Sequence, residues 1–344
     1  MKLREFQQYL RQTSIPLAIL TGEDKNITYF TQMKPSYAFL LITPQKVTVY
    51  LTALDKKPTI LGITVKALTK NWSEKIKSIK KIGINKNFVT VASFERMKTS
   101  FPKAKFVDIS AKLEELREEK TSEEIRKIQK ACDLTSDAFA ALLTELPRKT
   151  LRTEQDVALF LEKNIRQHGG EIAFPTIAAM AEHAATPHHV TSISPLKRGF
   201  LVLDFGASFE HYCADMTRTI FLGTPTVQEK KTYYLLLASQ QAAIDAVDKN
   251  VSFRDLDKAA RKKLGKYSKY FIHSLGHGIG LEVHEGSQYR DKKGKIKQNH
   301  VFTIEPGIYI PGKIGMRIED TLFFDGKVTI LTKSTKELIS IPLL

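Results

Sequence analysis

The sequence lacks any long uninterrupted hydrophobic segment. None of its apolar runs approaches the ~18 residues that suggest a membrane span, so we predict no membrane segment. Residues 1–20 are charged and polar before a short apolar run, which is not the pattern of a secretory signal peptide. Cysteine is scarce as well, because Cys132 and Cys213 are the only two in 344 residues. They provide no disulfide framework of the kind that small secreted domains use, and we expect a cytoplasmic protein.

Acidic residues are few in the N-terminal third of the chain. Residues 1–110 contain 19 Lys and Arg against 7 Asp and Glu, whereas the remainder contains 34 against 30. A basic excess can mark a surface for nucleic acid or for an acidic partner. The lysines are scattered, however, and few aromatic residues stand among them to stack on bases. We therefore favour a solvated lysine-rich surface and do not expect a nucleic-acid partner.

The spacing of apolar runs predicts two domains, 1–115 and 116–344. In the first, an α/β pattern is expected, with helices over 3–12 and 68–79 and strands over 15–20, 26–31, 37–42, 46–51, 80–85 and 104–109. In the second, Thr121 and Glu124 indicate the start of a long helix. A helix over 153–168, strands over 199–208, 211–223, 301–310 and 316–324, and a helix-rich insert over roughly 227–266 follow.

Four acidic residues stand within apolar strand patterns of the second domain. They are Asp204 in LVLDFG, Asp215 eleven residues later, Glu305 in VFTIEPGIY and Glu319 in MRIEDTLFF. A buried carboxylate costs several kcal/mol unless it is paired or bound to a metal. Four carboxylates that converge therefore require cations between them. Two divalent ions, with an imidazole from HSLGHGIGLEVHEG (273–286), satisfy that requirement.

Ordinary ion pairs are the alternative at any single position. Asp215 can pair with Arg218, and Glu319 with Arg317. Such pairs do not require four acids on separate strands together with a cluster of histidines, so the joint pattern favours a metal site.

The ordered motifs resemble those of a known enzyme family. LVLDFGA…HYCADMTRT, HSLGHGIGLEVHE, FTIEPGIY and MRIED are similar to the pita-bread metallopeptidases, in the branch of Xaa-Pro aminopeptidases and Xaa-Pro dipeptidases (prolidases). The resemblance implies an α/β (α+β) chain with a creatinase-like N-terminal domain and a pita-bread catalytic domain. It also implies hydrolysis of the Xaa-Pro bond in peptides or dipeptides, a homodimer, and two divalent metal ions. Mn²⁺ is favoured, and Co²⁺, Fe²⁺ and Zn²⁺ are alternatives.

The resemblance assigns roles to individual residues. The implied metal ligands are Asp204, Asp215, His277, Glu305 and Glu319, and the implied catalytic residues are His188, His273, His284, Glu305 and Arg317. Glu305 is expected to take the proton from the attacking water, and His284 to hydrogen-bond the substrate carbonyl. His273 is expected to line the proline-side pocket, and Arg317 to orient Glu319 or the substrate. The PHH sequence leaves His188 and His189 as alternatives for the same role.

The sequence motifs leave two questions open. The metal motifs do not separate a dipeptidase from an aminopeptidase, and we favour the aminopeptidase slightly. The other question is whether the chain is a metal-free or inactive relative that acts as a binding protein, for example through its basic N-terminal domain. Such relatives generally lose ligand residues, whereas all five are present here.

Overall fold

The computed structural model describes residues 2–286 and 294–342. The chain divides into two compact units, Met1–Arg117 and Glu118–Leu344. In the described part of the chain, no helix combines the length and the apolar character needed to cross a bilayer.

A mixed sheet forms the centre of the first unit, in the strand order β4-β3-β2-β1-β5-β6. The strands are β1 (Leu17–Gly22), β2 (Ala38–Ile42), β3 (Val47–Leu51), β4 (Ile63–Ala67), β5 (Lys81–Ile84) and β6 (Lys105–Asp108). The helices are α1 (Lys2–Gln12), α2 (Lys25–Thr31), α3 (Val91–Ser100) and α4 (Ser110–Glu118). Strand β1 pairs antiparallel with β2 and parallel with β5. Apolar side chains of β1 and β5 form a core with Met97 and Phe101.

Two predictions for this unit are wrong. Residues 26–31 form helix α2 instead of a strand, because the Asp24 carboxylate accepts a hydrogen bond from the Asn26 N–H at 2.9 Å and caps the helix. All six residues are buried, so no helical periodicity was visible in the sequence. The helix expected over 68–79 is only a short 3₁₀ turn, Glu74–Ile76.

The second unit packs pairs of helices against antiparallel strands. Its helices are α5 (Ser122–Glu145), α6 (Glu154–Gln167), α7 (Val227–Asp245) and α8 (Phe253–Leu264). Its strands are β7 (Glu171–Ile172), β8 (Ile177–Met180), β9 (Gly199–Phe205), β10 (Ala207–Phe209), β11 (Tyr212–Cys213), β12 (Met216–Leu222), β13 (His300–Ile304), β14 (Gly307–Ile310), β15 (Ile314–Arg317), β16 (Asp320–Phe324), β17 (Val328–Ile330) and β18 (Ser340–Ile341). Helices α5 and α6 cover β8, β9 and β12, and helices α7 and α8 cover β13 to β16.

Helices α5 and α6 begin at the residues that the sequence indicates. Thr121 caps α5 and exchanges hydrogen bonds with Glu124 in a capping box, and Thr153 does the same with Asp156 at α6. Each box satisfies backbone donors that the first helical turn leaves free.

All four of the predicted long strands are interrupted: the run 199–208 splits at Gly206, and each of the other three splits at an acidic residue. The run 301–310 splits after Ile304, since Pro306 has no N–H to donate to a ladder. The run 316–324 splits at Glu319, and the run 211–223 splits at Asp215. These acids therefore stand at strand ends, where their side chains leave the packed sheet and can face a common cavity.

Candidate metal centre

Strand pairing brings the first two acids together. Strand β9 pairs antiparallel with β12, and Asp204 lies opposite Thr217. Asp215 precedes β12 and is only two residues from Thr217, so both carboxylates lie at the same end of this strand pair.

A second strand pair brings the two glutamates together. Strand β13 pairs antiparallel with β16, and Ile304 lies opposite Asp320. Glu305 follows Ile304 and Glu319 precedes Asp320, so the two glutamates flank the last paired residues. The backbone N–H of Glu319 donates to the carbonyl of Thr217 at 3.1 Å. This hydrogen bond connects the two strand pairs, so that all four acids converge.

The loop 273–286 places the imidazole of His277 among these acids. Residue 277 is tied to β13 because the Thr303 N–H donates to the His277 carbonyl at 2.8 Å. A Cβ atom at Gly276 would lie 2.0 Å from the Thr303 carbonyl oxygen, so only glycine permits this approach. As a result, His277 Nε2 lies 3.5 Å from Asp215 Oδ2 and 3.4 Å from Glu305 Oε1.

The carboxylates destabilise one another in their ionised forms. Burial, followed by repulsion from Glu319, raises the pKa of Asp215 and of Glu305 well above the usual range. Burial and the nearby Asp204 raise the pKa of Glu319 to about 7. Burial lowers the pKa of His277 to about 3, so its imidazole is neutral and available as a ligand. Positive charge beside these carboxylates would favour their ionised forms, which is the form that binds a metal ion.

The donor atoms fit divalent cations. Asp215 Oδ1 and Glu319 Oε1 are buried, and neither has a hydrogen-bond partner among the residues that the structure describes. Asp215, His277 and Glu319 can direct ligand atoms that lie within 4.8 Å of one another. Buried acceptors of this kind are costly unless a cation or a donor satisfies them. Carboxylate-rich sites with one imidazole suit divalent metal ions.

A cavity of about 560 Å³ opens beside the acids, which is a size suited to a small ligand. The sequence-predicted residues that line it are His188, Asp204, Asp215, His273, His277, His284, Glu305, Arg317 and Glu319. The structure therefore brings together all nine of the side chains singled out in the sequence. His189, the alternative to His188, does not line the cavity and contacts Glu154 instead.

Two further histidines, His273 and His284, line the cavity near His277. The His284 ring contacts the His277 ring edge-on, with centroids 4.1 Å apart. Burial lowers the pKa of His284, and burial with repulsion from Arg317 lowers the pKa of His273 to about 4. Each neutral imidazole can donate one hydrogen bond and accept another.

Sequence reasoning missed two side chains that organise the site. The Tyr309 hydroxyl lies 2.9 Å from His273 Nε2, and Arg317 Nη1 donates to the same hydroxyl at 2.9 Å. Arg317 also forms an ion pair with Asp204. Thr217 donates to Glu319 Oε2 at 2.7 Å and accepts from Arg317 Nε at 2.9 Å. The sequence signal that could have identified Thr217 was strand alternation, because Thr217 lies two residues beyond Asp215.

Comparisons with known proteins point to one enzyme family. Residues 126–325 match metallopeptidase family M24, and residues 2–118 match the creatinase/prolidase N-terminal domain. The chain is 32% identical over 351 residues to a Xaa-Pro dipeptidase of Pyrococcus horikoshii, with 98% of each chain covered.

Solved structures give the same result. A Xaa-Pro dipeptidase from Bacillus anthracis superimposes with a TM-score of 0.91 at 29% identity, covering 99% of each chain. An X-Pro aminopeptidase from Thermotoga maritima superimposes with a TM-score of 0.86 at 30% identity, covering 95% of this chain and 98% of that one.

Proposed function

The chain belongs to metallopeptidase family M24, and from this premise we propose that it is a Xaa-Pro dipeptidase (prolidase) that uses two divalent metal ions. One observation carries the proposal: four acids and one imidazole converge on a cavity of about 560 Å³, although burial and mutual repulsion raise the pKa of three of the acids. The proposed ligands are Asp204, Asp215, His277, Glu305 and Glu319. The whole-chain relative that is named Xaa-Pro dipeptidase favours the dipeptidase over the aminopeptidase.

The side chains of the cavity have distinct proposed tasks. When bound, the metal ions polarise the substrate carbonyl and lower the pKa of water. Glu305, at the cavity wall, accepts the proton of the attacking water and passes it to the leaving nitrogen. His284 donates a hydrogen bond to the carbonyl oxygen as negative charge develops there. Arg317 holds Asp204 by an ion pair and fixes one edge of the ligand set.

Proline recognition is proposed to depend on shape. The nitrogen of an Xaa-Pro bond carries no hydrogen, so a binding site cannot use an N–H contact there. Apolar side chains on the cavity wall can pack against the pyrrolidine ring: Phe174, Pro175, Ile177 and Val283. We propose Mn²⁺ as the metal because the donor set is rich in oxygen, with Co²⁺, Fe²⁺ and Zn²⁺ as alternatives. The homodimer stays a prediction that sedimentation can check.

The direct test compares two substrates. Chelator-stripped protein is reloaded with Mn²⁺, and proline-containing products are measured from Ala-Pro and from Ala-Pro-Ala. A dipeptidase cleaves Ala-Pro and leaves Ala-Pro-Ala nearly intact, whereas an aminopeptidase cleaves the tripeptide. Glu305→Gln should abolish turnover, and Glu182→Gln, which changes an exposed acid, should not. If neither substrate is cleaved with any of the four metals, the proposal is wrong and the metal-free binding protein is favoured.

A further inference from the structure

A second cluster of ionisable side chains surrounds Glu154, the first residue of α6. The Glu154 side chain is fully buried, with 0% exposure. His183 Nδ1 lies 2.8 Å from Glu154 Oε1, and His189 Nε2 lies 3.0 Å from Oε2. The two imidazole rings stack, with centroids 4.5 Å apart and planes 24° apart. One buried carboxylate therefore holds two histidines at once.

The surroundings of Glu154 require a carboxylate at this position. The Met180 N–H donates to Oε1 at 2.8 Å, and the Ser192 N–H donates to Oε2 at 3.2 Å. The Ser192 hydroxyl also donates to Oε2 at 2.7 Å. Burial alone would raise the pKa of Glu154, but these hydrogen bonds and those from the two histidines lower it. A glutamine would turn its NH₂ group toward one of the two backbone donors in either orientation.

The same geometry argues against a metal ion at this cluster. Two histidines and a glutamate can bind a transition metal, and the three donor atoms lie within 4.8 Å of one another. However, both carboxylate–imidazole distances are those of N–H···O hydrogen bonds, and each carboxylate oxygen already accepts from a backbone N–H as well. Hydrogen bonds therefore occupy both carboxylate oxygens of Glu154, and the cluster does not need a metal ion.

The segment held by the two histidines forms part of the cavity wall. Residues 183–189 include Pro187 and His188, and both line the cavity. The Pro187 carbonyl accepts a hydrogen bond from Arg317 Nη1 at 3.5 Å. Inside the segment, the Thr186 N–H donates to the His183 carbonyl at 3.0 Å. Both ends of the segment are thus fixed to one carboxylate, and its middle faces the cavity.

We propose that Glu154 is a positioning residue that fixes the segment 183–189 through His183 and His189 and so places His188 at the cavity. The part of this inference that concerns the substrate rests on the proposed function. His188 is bonded directly to His189 in the chain, so losing the hydrogen bond at His189 displaces His188 as well. No proposed metal ligand is changed by that loss.

The test uses matched pairs of variants at the two histidines, because Glu154 variants can fail to fold. His189→Leu removes the donor, whereas His189→Gln keeps an N–H near the position of Nε2. His183→Leu and His183→Asn form the second pair, in which asparagine replaces the Nδ1 donor. For each holoenzyme we would measure KM and kcat for Ala-Pro, the Mn²⁺ stoichiometry, and amide hydrogen exchange of 183–192 with 273–278 as the internal reference.

The expected result separates positioning from a general loss of structure. The leucine variants should raise KM roughly tenfold, as small displacements of binding groups do, and speed exchange in 183–192 alone. Mn²⁺ stoichiometry should stay at the parental value, and the Gln and Asn variants should restore both readouts. Parental exchange and parental KM in His189→Leu would overturn the inference. So would an additional Zn²⁺ ion in the parent that His183→Leu loses. If the parent cleaves no Xaa-Pro substrate, the proposed function is wrong, but hydrogen exchange still tests whether Glu154 fixes the segment 183–189.

Discussion

Replacing His300 by methionine should make the protein more resistant to acid. His300 is the first residue of β13 and is 0% exposed. Its Nδ1 accepts a hydrogen bond from the Lys297 N–H at 3.3 Å, and its Nε2 has no partner among the described residues. Burial, with repulsion from Lys120 and Lys297, lowers the pKa of His300 to about 3. The folded protein therefore keeps this imidazole neutral where an unfolded chain would protonate it.

The sign and size of the effect follow from linkage between protonation and folding. An unfolded histidine has a pKa of about 6.5, so below that pH the unfolded state binds a proton that the folded state does not. Stability is therefore lost as the pH falls from about 6.5 toward the folded pKa. Integrated from pH 7 to pH 5, a single site of this kind removes about 2 kcal/mol from the free energy of unfolding. Methionine has a similar volume and does not titrate.

Urea unfolding of chelator-treated protein at pH 7 and pH 5 measures this difference. The parent should lose about 2 kcal/mol more than His300→Met between the two pH values. The lost hydrogen bond to Lys297 lowers stability equally at both pH values, so it cancels in the comparison. His168→Gln, which changes an exposed histidine, should behave as the parent does. If His300→Met and the parent lost the same free energy, His300 would not be a buried neutral imidazole and the reasoning would be refuted.

Three further substitutions test the framework of the site. In Gly206→Ala, the new Cβ would lie 1.9 Å from the Ala214 carbonyl oxygen, so the strands that carry the acids must separate. Mn²⁺ titration should then show weaker binding, and the melting temperature should fall. Tyr309→Phe removes only the hydroxyl that contacts His273 and Arg317. The kcat/KM should fall about tenfold, and calorimetry should find the Mn²⁺ affinity unchanged. Arg218→Met leaves the buried Asp320 without its arginine partner, so the free energy of unfolding in urea should fall by about 3–5 kcal/mol. Combining Arg218→Met with Asp320→Leu should recover part of that loss.

The family and the fold class could be predicted from the sequence. The match of residues 126–325 to family M24 and of 2–118 to the creatinase/prolidase N-terminal domain confirms both. The acids could be found because a carboxylate in an apolar strand pattern is unusual and has few explanations. The roles of the individual residues, Mn²⁺, the homodimer and the cytoplasmic location stay predictions.

Other features could not be predicted because they depend on tertiary contacts. Tyr309 resembles an ordinary strand residue, and it meets Arg317 only because β14 pairs with β15 in the register that sets Gly307 opposite Arg317. The choice between His188 and His189 could not be made from PHH, since adjacent residues differ only in the direction of their side chains. Helix α2 was missed because its residues are buried on every side.

The central claim is that divalent cations allow the buried acids to lie together. Isothermal calorimetry of chelator-stripped protein with Mn²⁺ tests it most directly, with Asp215→Asn as the variant and Glu182→Gln as the control. The claim predicts two ions per chain in the parent and the control, and fewer, more weakly bound ions in Asp215→Asn. Absence of binding in the parent, or parental stoichiometry and affinity in Asp215→Asn, would contradict it.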